Sequence, residues 1–274
     1  MQERPQQQFA AANTSVNGGG IYTSFARSGI YTGYVVAQGA LALFSVILFF
    51  RFITDFSIIG DLLDLAGATK VKFIAVILLI AITAVPVLAA IGLFLFRNSP
   101  SNGAGLGLVK GALSLYGSII ALATLAAVIT LFILMLISDS ASSYFGYSYR
   151  NSAIVGVYVG GMFGVLISAV ILALNIRKQT NILDDVRKVQ TQGAHPSPVS
   201  LFPIVMAFIA AFGNITSLGS LGEFAGATMV LFSISAIAAN ALQAIALIKL
   251  RGIAQNAVAP QNVWGVGGGN NGGW

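Results

Sequence analysis

The residues able to do chemistry in this 274-residue chain are few, and they narrow the field at once. There is no cysteine, and the one histidine, His195, lies in a polar stretch. Without thiols there are no disulfides, thiolate metal sites or cysteine nucleophiles. With a single imidazole, neither a zinc site nor a histidine-based general base is expected. Three acidic residues, Asp61, Asp64 and Glu223, are candidates for an outer acidic site with cations as its ligand. The plainer reading of the first two is the wet face of an interfacial helix. Ile58, Leu62 and Leu65 follow helical spacing, and Asp61 and Asp64 lie three apart on the other face.

Amides supply the second candidate. Asn240 and Gln243 are three apart, hence on one helix face, and with Pro86 they outline a polar path for a solute. A proline inside a membrane helix frees backbone carbonyls, which then need another partner. The competing reading is hydrogen bonding between helices, worth about 1 kcal/mol or less. Enzymatic inventories fail. Gly219-Ser220-Leu221-Gly222 has the wrong order for an intramembrane serine protease, His195 stands outside the apolar runs, and no aspartate pair falls inside them. Gly103, Gly105 and Gly107 do not follow a strand, so they read as a flexible linker and not as a phosphate-binding loop. No catalytic residue, cofactor or metal is expected.

These side chains have to be placed by an unusual chain. Hydrophobic residues make up 57%, charged residues 8%, and the mean hydropathy is +0.87. A soluble domain carries about 25% charged residues, so this chain cannot cover itself with a water-facing surface. Six continuous apolar runs stand out: Ile30–Phe50, Phe73–Phe96, Gly111–Ser138, Ser152–Asn175, Leu201–Leu218 and Phe224–Ile248. A bilayer core about 30 Å thick needs about 20 apolar residues in a helix. None of the charged residues lies inside a run; they stand at the edges, as the cost of an ion in lipid demands. A barrel strand would alternate polar and apolar over about 10 residues, and these runs do not. The expected fold is all-α, a polytopic helix bundle with six transmembrane helices. The fifth run is the weakest, being short, with Pro203 near its start and Asn214 near its end; a re-entrant segment is its alternative.

Loop charge orients such a bundle. The N-tail, the second and fourth loops and the C-tail hold ten Lys and Arg; the remaining loops hold four, namely Arg51, Lys70, Lys72 and Arg150. Both termini are therefore expected in the cytoplasm. The net charge of +6 belongs to this asymmetry, and nucleic acid is not an expected partner. Residues 1–29 read as a disordered polar N-tail that is no signal peptide, 30–250 as the transmembrane domain, and 251–274 as a disordered Gly- and Asn-rich C-tail. The fourth run is expected to continue as a helix into the cytoplasm, with Ile182, Val186 and Val189 as its apolar stripe. Tyr144, Phe145, Tyr147 and Tyr149 read as an aromatic belt at the opposite interface.

Two patterns bear on assembly. Gly60–Phe73 (GDLLDLAGATKVKF) matches Gly219–Phe232 (GSLGEFAGATMVLF) without gaps, which would make hairpin 5–6 a parallel repeat of hairpin 1–2. A favourable helix start used twice is the alternative; transporters do use such repeats. Gly156, Gly160 and Gly164 recur every four residues in the fourth run and leave a flat strip for close helix packing. Its partner is either within the chain or in a second copy. Short loops, polar tails and Gly-Ala helix starts resemble those of small multi-pass prokaryotic proteins, which implies a cell-membrane location. The function these features suggest is non-enzymatic. The chain reads as a membrane-embedded subunit or scaffold of a larger assembly, of channel or secretion type, with the lipid bilayer and a homo-oligomer or membrane complex as partners. A small-solute or ion transporter or channel is the alternative.

Overall fold

The apolar runs become helices because lipid offers no partner for backbone N–H and C=O groups, and a helix satisfies them within one segment. A computed structural model describes residues 21–65, 69–145, 148–220 and 226–258, with side chains over 21–54, 76–137, 155–216 and 226–257. Its described residues form a short helix α1 (Thr23–Ala26) and six longer ones: α2 (Gly29–Leu65), α3 (Thr69–Asn98), α4 (Leu106–Phe145), α5 (Ser148–Gln192), α6 (Phe202–Ser220) and α7 (Ala227–Val258). Five of them, α2, α3, α4, α5 and α7, are long and apolar enough to cross a membrane; α6 contributes a shorter apolar stretch, Phe202–Thr216.

Packing order follows from which helices touch. Around the bundle it runs α3, α2, α7, α6, α5, α4 and back to α3, well packed at every junction except α5–α6, where contact is sparse. Neighbours are antiparallel. Along α4 and α5 a Cβ on Gly117 would meet Ile176, and one on Gly161 would meet Leu131, while Lys110 pairs with Asp184. Along α2 and α7, Gly33 faces Leu242 and Gly226 faces Arg51. The ring is thus three hairpins, α2–α3, α6–α7 and α4–α5, laid side by side in one sense of rotation. In the proposed repeat Thr69 aligns with Thr228, and α3 and α7 begin within a residue of those positions.

The core sits at one end. Tyr22, Phe25, Tyr31, Val35, Leu93, Phe96, Leu106, Val109, Val186, Val189, Val199, Leu250 and Ala254 bury one another there. The segment before α2, the α3–α4 turn, the α5–α6 turn and the end of α7 therefore share a side of the molecule. Tyr31 anchors it: its ring meets Phe25 at 5.2 Å and Phe96 at 5.8 Å, and its hydroxyl donates to the Leu93 carbonyl at 3.1 Å.

Three boundaries differ from the sequence expectation. Residues 21–29, expected in the disordered N-tail, are structured, because Tyr22, Phe25 and Ala26 have apolar surface to bury against the bundle. Residues 251–258, expected in the disordered C-tail, continue α7, and Ala254 is fully buried. The glycine segment expected to be a linker is a built turn. Gly103 and Gly105 adopt φ +59 and +81, the left-handed region that glycine tolerates, around a single 3₁₀ turn, Pro100–Asn102. Gly105 packs directly on Gly92 of α3: a Cβ on Gly92 would lie 2.6 Å from the Gly105 carbonyl oxygen. Only two glycines permit that approach.

Candidate functional site

The glycine strip is decided by the surface around it. Gly156, Gly160 and Gly164 are exposed, and a Cβ built on any of them would meet nothing within 4 Å. Val157, Phe163 and Ile167 beside them are 73%, 62% and 58% exposed. Within the chain, α4 and α5 pack through other glycines, Gly117 and Gly161. The most apolar stretch of each of these two helices buries none of its residues inside the protein. Among the described residues, no other helix of the chain lies against the strip.

The amide residues do not converge on Pro86. Asn240 donates to the carbonyl of Ala236 in its own helix at 2.9 Å. Gln243 reaches α5 and donates through Nε2 to Gln179 Oε1 at 3.2 Å; Gln179 Nε2 in turn donates to Asn175 Oδ1 at 3.4 Å. Asn175, Gln179 and Gln243 thus form a short polar chain across the bundle. Sequence reading missed it because Gln179 belongs by composition to the loop after the fourth run; the four-residue spacing of Asn175 and Gln179 was the available signal. Pro86 stands inside α3 with no kink partner among these groups. Thr83 donates to Leu79 of its own helix at 2.8 Å.

Asp61 and Asp64 lie on the last turns of α2, their side chains outside the described residues, and Glu223 lies outside them altogether. So do the side chains of the aromatic group Tyr144, Phe145, Tyr147 and Tyr149. Among the described residues no three His, Cys, Asp or Glu come together.

Polar contacts gather instead at the end that carries the core. Lys110 pairs with both oxygens of Asp184 at 2.8 and 3.0 Å. Asp185 accepts the Ser197 N–H at 3.0 Å and its hydroxyl at 2.7 Å, which folds the segment after α5 back along that helix. Gln190 donates to the Pro100 carbonyl at 3.3 Å and ties α5 to the glycine turn. Tyr22 is fully buried, and among the described residues its hydroxyl has no hydrogen-bond partner. Burial, with the nearby Asp185 carboxylate as the smaller cause, pushes its pKa up to about 12. Such contacts fix the ends of helices; none lines up a nucleophile with a base.

Comparison with protein-family models, with curated proteins and with solved structures gives no match. What can be said of this chain rests on its own residues: it is helical, with apolar helices that fit a multi-pass membrane protein.

Proposed function

We propose that the protein is a non-enzymatic, membrane-embedded subunit of a larger assembly, crossing the membrane six times with both termini in the cytoplasm, and that its first assembly partner is a second copy of itself. One observation carries this reading. The α4–α5 hairpin leaves its most apolar stretches unburied within the chain, and on α5 an exposed glycine strip opens onto space. In lipid, where tails are as apolar as leucine, helices associate through close backbone packing, and small residues every four positions permit it. α6 is read as the remaining span, since it pairs antiparallel with α7 through Ile204, Ala207 and Ala244.

Mass measurement in detergent tests this. The wild type is expected to run as a dimer or larger. Gly160→Leu is expected to shift it to monomer while leaving the melting temperature of the monomer nearly unchanged, because the new side chain enters open space. Gly161→Leu is the contrast. Its Cβ would already touch Leu131 at 3.5 Å, so the further atoms of leucine overpack the α4–α5 contact, and the change is expected to lower stability by roughly 1–3 kcal/mol. A wild type that is monomeric at every protein-to-detergent ratio would refute self-association.

A transporter reading draws support from the ring of three hairpins with one sense of rotation and from the Asn175–Gln179–Gln243 chain. Solute-dependent uptake into proteoliposomes, lost in Gln243→Leu, would favour it over the subunit reading.

A further inference from the structure

Depth along α5 sets one segment apart. The apolar stretch of α5 ends at Ile176, and Asn175–Thr180 reads NIRKQT. Ile176 lies level with Gly117 of α4, and the register holds at Gly161–Leu131 and Lys110–Asp184. Below Gly117, α4 stays uncharged for six more residues until Lys110, about 10 Å further along. The bond from Gln179 to Gln243 gives a second register: α7 meets its first basic residue at Lys249, six residues, or about 9 Å, beyond Gln243. Gly33 faces Leu242, and α2 begins four residues earlier at Gly29, with Arg27 in the turn just before it. Three neighbours thus mark one boundary, and Arg177 and Lys178 stand well inside it.

Both side chains are exposed on the outside of the bundle. The carboxylates described at this end are already engaged, Asp184 by Lys110 and Asp185 by Ser197. On the inner side the segment is satisfied by Gln243; on the outer side two exposed cations have no carboxylate partner among the described residues. A bare cation at that depth is costly, and its flexible stem reaches toward the headgroup layer. Beside α5 the ring is sparsely filled, and α6 from Pro203 to Phe212 carries no polar side chain, a wall suited to acyl chains.

We propose that Arg177 and Lys178 hold the phosphate of an anionic phospholipid drawn from the leaflet on the side of the described termini. The full chain, purified from mixed micelles of phosphatidylglycerol and phosphatidylcholine in equal amounts, is analysed for the lipid it retains. The wild type is expected to enrich phosphatidylglycerol by roughly tenfold or more, the scale of two basic residues near an anionic surface. Arg177→Gln with Lys178→Gln abolishes the enrichment. Arg187→Gln with Lys188→Gln, ten residues and about 15 Å further along α5, preserves it. A second readout uses only the wild type: enrichment persists in 1 M salt, where the Debye length is about 3 Å and diffuse surface attraction is screened. No enrichment, equal loss in both double variants, or loss in high salt overturns the proposal, leaving only snorkelling stems and general surface charge.

Discussion

Tyr22 shows how a single side chain can cost as much as it contributes. Its ring fills the core at the end where both described termini lie, yet its hydroxyl is buried without a partner among the described residues. Leaving a buried polar group unpaired costs about 1–3 kcal/mol, and replacing it by an apolar group of the same shape is near neutral or stabilising. Tyr22→Phe is therefore expected to melt at the same temperature as the wild type or slightly higher near neutral pH. Alkaline pH separates the two. The folded hydroxyl keeps its proton up to about 12, against 10 in the unfolded chain, so the neutral form is favoured by folding. Stability from this group is full below about pH 10 and falls as pH rises toward about 12. Thermal melts in detergent across that window should show the wild type losing ground to Tyr22→Phe; parallel curves would sink the assignment.

At the level of elements, the joints between helices carry more information than the helices themselves. The α3–α4 joint depends on Gly105, held at φ +81 and pressed against Gly92. Alanine there meets both a strained backbone and the Gly92 carbonyl, so Gly105→Ala is expected to destabilise the protein by roughly 2–4 kcal/mol, read as a fall in melting temperature. Gly107, with nothing within 4 Å, is the internal control and should tolerate alanine. Lys110–Asp184 spans the next joint, but its side chains are 47% and 39% exposed, and a pair so solvated contributes about 1 kcal/mol or less. α5 unites three roles in one helix: an exposed glycine strip, a polar belt, and an extension to Gln192 that buries Val186 and Val189 in the core.

For the whole molecule, the basic residues predict an orientation, and the core gathers the segment before α2, the α3–α4 turn, the α5–α6 turn and the end of α7 at one end. The described residues at the core-bearing end include Arg27, Arg97, Lys110, Arg177, Lys178, Arg187, Lys188, Lys249 and Arg251, while those at the opposite end include Arg51, Lys70, Lys72 and Arg150. A reporter fused to the C-terminus and active only in the cytoplasm is expected to be active, and the same reporter fused after Arg51 inactive. An inactive C-terminal fusion, expressed at equal level, would reverse the orientation. The absence of native cysteine makes the complementary labelling experiment clean, because each introduced thiol reports one site.

The amino-acid order alone determined the class of molecule. Continuous apolar runs with charge confined to their ends admit only helices in lipid, because each residue must satisfy its own backbone there. The helical extension after the fourth run was legible for a related reason: Ile182, Val186 and Val189 repeat at helical spacing, and all three join the core. Contacts between helices were not legible. Gly156, Gly160 and Gly164 look no different in sequence from glycines that pack inside the chain, and only the ring order turns them outward while Gly117 and Gly161 face a neighbour. Gln243 likewise carries no mark that its partner is Gln179, 64 residues away. Periodicity states which face of a helix is apolar; in a membrane nearly every face is, so the choice of neighbour falls to shape, close backbone approach and a few hydrogen bonds, and these exist only once the helices are assembled.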